Sequence, residues 1–516
     1  MTQWTSGYVA EVDYPYGYYR EMSPALLSLA VLNRNVSASH PRVPRYLELG
    51  FGQGLALNIH AAACPGEFWG TDFNPVHASN AQEMAEASGA GPRLFDLSFA
   101  ELAVRDDLPE FDMIAVHGVW SWISDENRAT IVDLVRRKLA AGGMLYISYN
   151  CTPGWSPIMP LRHLMQLHAA LAGSEDEGMT GKIGAAIEFT QRVVDAGATY
   201  FRDNPAVAAW LKRIQQQNRH YLAHEYFTRD WQPMPFSQVA EWLSQAKLSF
   251  CASADLLTHV DQIHLTREWQ ELLGGIGHPI LRESVRDYLV GQQFRKDIFI
   301  KGGRTMLPPE QFERFRDQGF VLTIAAPDVP MQIKTMRGPV NLPERICQAV
   351  IAALSERGYV PKTVGELLAH PACQAFPPGH LIQTLVVLTG AGHVLPVQRD
   401  EAIAMARPRC EALNDYLCQR ARHTGDAAYL ASPVTGMGIS VQRVGQLFLL
   451  ARQQGRAEAP DWARFVWEIV EAQGQRLIKD GKTLDSAQDN LAELTAQAQT
   501  FALKRLPILK AIGITA

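Results

Sequence analysis

The chain has 516 residues, too many for one ordinary hydrophobic core and enough for about three folding units. Apolar residues make up 47% and charged residues 20%, a globular balance that excludes an intrinsically disordered chain. The formal net charge of −5 is mild and leaves no electrostatic footprint for nucleic acid or an anionic membrane. The seven cysteines are scattered without a Cys-x-x-Cys pair, which points to reduced thiols and away from a metal site. The first residues show no basic stretch followed by an apolar run, and no apolar run of about eighteen residues occurs. A cytoplasmic protein without membrane insertion is expected.

In chain order, residues 8–19 place five tyrosines ahead of the first strand, broken by Pro15 and Gly17. This aromatic arm is expected to pack on the domain surface or to close as a lid over a ligand, with Tyr16 and Tyr19 nearest to it. A helix follows over 22–32. The strand 43–49 runs into Gly50-Phe51-Gly52-Gln53-Gly54 and then a helix over 55–63. Strand, glycine turn and helix N-terminus form a nucleotide cradle in doubly wound α/β folds. A dinucleotide fingerprint would need its third glycine where Leu55 stands, and Glu48 would repel a diphosphate. Glu48 suits instead a ligand carrying an ammonium and a sulfonium.

The Glu48-x-Gly50-x-Gly52-x-Gly54 spacing resembles motif I of class I S-adenosylmethionine (SAM) methyltransferases. Asp72, followed by Phe73, ends a second strand eighteen residues past Gly54, the spacing at which an acid reaches ribose hydroxyls. A third strand over 94–99 carries Asp96 and Leu97; Asp96 is read as an adenine contact or as a turn residue. The strand 111–116 runs into His117-Gly118-Val119-Trp120-Ser121-Trp122, and ligands in open α/β sheets sit beyond such carboxyl ends. A helix over 126–140 precedes the strand 144–149, which ends in Asn150-Cys151-Thr152-Pro153-Gly154-Trp155. Five strands alternating with helices predict a Rossmann-like doubly wound sheet over residues 1–160.

A helical connector over 161–215 follows, with an acidic break at Ser174–Glu177. Residues 216–303 read as amphipathic helices and turns, with His224-Glu225 either a surface or interdomain contact or a polar pair presented to the cleft. Residues 304–345 carry linker chemistry. The final part, 346–516, is helical and opens with three short helices and a strand, a winged-helix-like pattern. It lacks a clustered basic face, so protein contacts are expected of it rather than DNA.

Several stretches together resemble one family. Tyr14-Pro15-Tyr16, the motif I run, His117 to Trp122, Tyr149 to Trp155, Glu225-Tyr226 and Gln293-Phe294-Arg295-Lys296-Asp297 are similar to class I SAM methyltransferases carrying a methyltransferase regulatory domain, and to the rickettsial-type lysine methyltransferases of outer-membrane proteins among them. The resemblance implies SAM as donor and a protein or peptide lysine as acceptor, and it allows a homodimer. It implies cofactor contacts from Tyr19, Glu48, Gly50, Phe51, Gly52, Gly54, Asp72, Phe73, Asp96, Leu97 and His117. Catalytic roles fall to Tyr16, His117, Trp120, Asn150 and Glu225. The acceptor nitrogen must be neutral, and an aromatic slot built from Tyr16, Tyr19, Trp120, Trp122, Tyr149 and Trp155 would disfavour its ammonium form. His117, Glu225 or water would take the proton. The alternatives are a small-molecule or peptide methyltransferase of a biosynthetic pathway, and a non-catalytic SAM-binding adaptor.

Overall fold

The computed structural model describes residues 15–38, 43–173, 178–335 and 338–516. The tyrosines before Pro15 and the acidic break at 174–177 lie outside the described residues.

Five strands are read from the first part of the chain: β1 (Arg45–Leu49), β2 (Glu67–Thr71), β3 (Arg93–Phe95), β4 (Phe111–Val116) and β5 (Leu139–Asn150). They pair in parallel with β1 and β4 at the centre. Burial on both faces explains their nearly continuous apolar runs, such as Met113 to Val116. The helices between them are capped by their own sequence: Asn74 accepts from Val76 N–H at 3.0 Å, and Ser124 accepts from Asn127 N–H at 3.4 Å. The third strand is shorter than expected. It stops at Phe95, because Ser98 and Glu101 form a capping box that starts a short helix at Phe99.

Two more strands, β6 (Ser249–Ser253) and β7 (Phe294–Ile300), complete a seven-stranded mixed sheet in the order β3-β2-β1-β4-β5-β7-β6. β7 runs antiparallel to both β5 and β6. Amphipathic helices and turns, without strands, were expected over this stretch. The reason for the difference is that β7 is stabilised by β5, a partner remote in sequence that no local period reveals. The region 216–303 therefore builds one edge of the sheet as well as the helices over it.

Segment 304–345, expected as a linker, holds the helix Pro308–Asp317 and a strand, β8 (Gly319–Leu322), whose Phe320, Val321 and Leu322 are fully buried. β8 is the middle strand of a small antiparallel sheet with β9 (Lys362–Thr363) and β10 (Val394–Val397). The helices Glu344–Tyr359, Val364–Ala369 and Pro378–Gly390 surround it. Helix Asp400–Arg420 then packs across helices Leu55–Ala63 and Pro75–Ser88. Gln398 and Arg409 fasten this contact by donating to the carbonyls of Ala63 and Cys64 at 2.7 and 3.2 Å. One apolar core runs from this face of the main sheet into the C-terminal region, so the two are packed as one body. No helix among the described residues is long and apolar enough to cross a membrane.

Candidate active site

The glycine turn leaves β1 with three residues of positive φ: Gly50 at 79°, Gly52 at 56° and Gly54 at 75°. Two of them also have no room for a side chain. A Cβ on Gly50 would stand 2.6 Å from Val119 Cγ2, and one on Gly54 would stand 2.3 Å from Ala81 Cβ. Gly50 thus keeps the loop close to the end of β4, where a cavity opens. Gly54 serves helix packing instead and does not line that cavity. The loop is held to β2 by Gly50 N–H donating to Thr71 O at 2.8 Å and by Gly52 N–H donating to Asp72 Oδ2 at 2.9 Å.

The cavity gathers Glu48, Gly50, Phe51 and Gly52 from the turn, Asp72 and Phe73 from the end of β2, and Leu97 from beyond β3. His117 and Tyr19 close it on another side, their rings 3.8 Å apart. Asp96 does not join them. With β3 ending at Phe95, Asp96 is exposed, and Thr71 Oγ1 holds the carbonyl of Leu97, so Leu97, Ser98 and Phe99 face the cavity.

Among the expected catalytic residues, His117 and Glu225 line the cavity, whereas Tyr16, Trp120 and Asn150 do not. Tyr16 lies on an extended segment in which Pro15, Gly17 and Tyr19 face the cavity; side chains alternate along such a segment, and Tyr16 turns away beneath the Arg420 guanidinium, 4.7 Å from its ring centre. Trp120 is fully buried in the core on the other face of the sheet, edge-on to Trp242, while Trp122, two residues along the same 3₁₀ turn, lines the cavity. Asn150 is buried with its backbone N–H on Ser121 Oγ and its carbonyl accepting from Met234 N–H, and its Nδ2 has no partner. The expected aromatic slot is therefore smaller. Tyr149 donates to Asp297 at 2.7 Å, away from the cavity, and Trp155 reaches Trp122 only through Trp231, at ring separations of 5.2 and 6.1 Å. The side chains of Tyr221 and His224 lie outside the described residues.

Residues the sequence reading missed include Gln53, His77, Val119, Asn127 and Asp230. His77 could have been found one turn past the cap at Asn74. Its Nδ1 stands 3.1 Å from Asp72 Oδ1, which also accepts from Asn74 N–H at 3.0 Å, so Asp72 is oriented from two sides.

Burial gives three groups in this cavity unusual protonation. The Glu48 carboxyl is pushed up to about 8, first by desolvation and then by the nearby Asp72 charge, and its Oε2 has no partner. Burial pushes the His117 imidazole down to about 3, assisted by the charge of Lys296; its Nδ1 contacts Tyr146 OH at 2.8 Å and Ser148 Oγ at 3.1 Å. Burial raises Glu225 to about 7, with Arg162 opposing the shift.

These features fit SAM. The orphaned Glu48 oxygen is a site for an ammonium group, the glycine turn admits close backbone approach, and Asp72 retains acceptor capacity for ribose hydroxyls. When bound, SAM supplies an electrophilic methyl group on a sulfonium sulfur.

Comparison with known proteins agrees. Residues 47–143 match the methyltransferase domain family, and residues 218–301 match the family described as a predicted methyltransferase regulatory domain. The uncharacterized protein sll1526 of Synechocystis sp. is 37% identical over 517 aligned residues, covering 99% of this chain and 100% of that protein. The uncharacterized protein RP789 of Rickettsia prowazekii is 25% identical over 293 residues, covering 56% of this chain and 51% of that protein. Among solved structures, PKMT2 from Rickettsia typhi in complex with AdoHcy superposes with a TM-score of 0.67 at 16% identity, over 95% of this chain and 98% of that one. That likeness establishes a shared fold along nearly the whole chain.

Proposed function

The chain belongs to the SAM-dependent methyltransferases that carry a methyltransferase regulatory domain, and from that premise we propose that it methylates the side-chain nitrogen of lysine in a protein substrate. The observation that carries the proposal is Glu225. It is a carboxyl poised near neutral pH, set with Trp122 and Asp230 in the cavity that holds the glycine turn. A lysine arrives as an ammonium and must lose a proton before its lone pair can attack the methyl carbon. The indole face of Trp122 attracts the cation and then disfavours it once water is excluded. Glu225 takes the proton; His117, held neutral by burial, serves as a wall with Tyr19. Glu48 receives the cofactor ammonium and Asp72 the ribose hydroxyls. The fold shared with PKMT2 supports the same reading.

The three helices Glu344–Tyr359, Val364–Ala369 and Pro378–Gly390 around the three-stranded sheet of β8, β9 and β10 support a winged-helix-like module devoted to protein contacts. The test of the main proposal is incubation of the full chain with methyl-labelled SAM and host extract, counting protein and small-molecule fractions separately. Base-stable label on lysine, lost in Glu225→Gln while AdoHcy binding persists, is the expected result. Label confined to small molecules would overturn it.

A further inference from the structure

A second cavity, of about 520 Å³, lies behind the cofactor site, where the segment Tyr18–Glu21 meets the C-terminal region. That volume is within the range of small-molecule sites. Its wall is cationic. Arg20 and Arg505 both face it, as does Lys296, against a single carboxylate, Glu21, which Lys296 already neutralises at 2.6 Å. Among the described residues neither guanidinium lies within ion-pair distance of a carboxylate. Arg20 donates to the carbonyls of Thr389 and Gly390, and Arg505 to those of Thr323 and Ser440. Carbonyl dipoles fix both guanidiniums without cancelling their charge, and each has five N–H groups, so donors remain for a ligand. Arg505 also ends a π-helical turn, Phe501–Arg505, a distortion frequent at functional sites.

The cavity shares a wall with the cofactor site. Tyr19 lines both. Along the same segment Tyr18 sits 5.0 Å from Tyr429, and a Cβ on Gly438 would stand 2.9 Å from its ring. A Cβ on Gly392 would stand 2.7 Å from Arg20 Nη1. Glycine at these two positions lets the C-terminal region close onto the segment whose alternate residues wall the cofactor.

We propose that this cavity binds a small phosphate-bearing metabolite, and that its occupancy changes cofactor affinity through the Tyr18–Arg20 segment. Planar guanidinium forks and an ammonium are the groups that match phosphate oxygens. The readout is binding, so the proposal is independent of the acceptor. The experiment titrates the full chain with inorganic pyrophosphate at matched ionic strength, with citrate as a separate arm, and measures AdoHcy affinity with and without saturating anion. Saturable pyrophosphate binding is expected, with a change of about threefold or more in AdoHcy affinity. Arg505→Gln should weaken pyrophosphate by about tenfold or more, and Arg505→Lys, which keeps the charge without the fork, should fall between wild type and Gln. Because Arg505 also braces two carbonyls, Ile324→Glu is the companion variant: it places a carboxylate in the cavity and should exclude the anion without removing a brace. Unsaturable binding, binding unchanged in both Arg505→Gln and Ile324→Glu, preference for citrate over pyrophosphate, or an AdoHcy affinity indifferent to the anion would each overturn the proposal.

Discussion

Glu48 gives the sharpest test of the cofactor site, because its proton should be displaced when SAM binds. With its carboxyl at about 8, Glu48 is about nine-tenths protonated at pH 7 in the free protein. The cofactor's amino group stands on a carbon that also bears a carboxylate, which holds its pKa above that of a chain terminus, so it is almost fully protonated there. The carboxylate–ammonium pair in the complex holds one proton, so binding releases about 0.9 proton at pH 7 and about one at pH 6, and the release falls off as pH rises through about 8. Cofactor affinity therefore rises nearly tenfold from pH 6 to 7 and less steeply as pH passes about 8. Calorimetric titration with AdoHcy in two buffers of different ionisation enthalpy measures the proton count directly. Glu48→Gln removes the release and leaves the proton count at pH 7 near zero. A wild-type count near zero at pH 7, or a release that survives in Glu48→Gln, would refute the assignment. The sign for stability runs the other way. Folding raises this carboxyl, so its contribution is greatest below about 4.5 and is lost as pH rises through about 8.

Three other outcomes follow from the same geometry. Glu225→Gln should lower kcat by about 10²–10⁴ and remove the limb of the pH–rate profile near 7, with AdoHcy affinity unchanged in calorimetry. Gly54→Ala should lower the melting temperature, with an overpacking cost of about 1–3 kcal/mol before the strain of its positive φ, whereas Gly50→Ala should chiefly weaken AdoHcy binding through its contact with Val119. Trp120→Ala should cost about 3–5 kcal/mol in denaturant unfolding, while Trp122→Ala should leave stability nearly intact and raise KM for the acceptor.

What could be read from the sequence was what local rules encode. The glycine turn, the acid at Asp72 and the helix cap at Asn74 each follow from a residue's own backbone preference or side-chain reach. What could not be read depended on partners distant in the chain. β7 takes its strand conformation from β5, and β8 is buried by elements that come after it. The two tryptophans of the Trp120-Ser121-Trp122 turn are chemically identical, and only the packing of Trp242 against one of them decides which faces the ligand. The N-terminal segment is the intermediate case, because its two faces are encoded locally. Pro15, Gly17 and Tyr19, which line the active-site cavity, alternate with Tyr16 and Tyr18, which turn to Arg420 and Tyr429, the period of two of an extended segment.

The three perturbed groups of the cavity also divide its labour. Glu48 near 8 and Glu225 near 7 are carboxyls raised by burial, and His117 near 3 is an imidazole lowered by the same cause. A group that remains neutral down to pH 3 is too weak a base to hold the acceptor's proton at pH 7, which removes His117 from that step despite its place in the wall. In the proposed site Glu48 is assigned to the cofactor, whose ammonium would hold it as a carboxylate throughout turnover. Glu225 alone of the three has no cofactor group assigned to it and a proton affinity matched to neutral pH, so the pH dependence of turnover should follow Glu225 while the pH dependence of cofactor binding follows Glu48. Two separable profiles, each abolished by its own glutamine variant, are the signature of that division; a single profile shared by binding and turnover would rule it out.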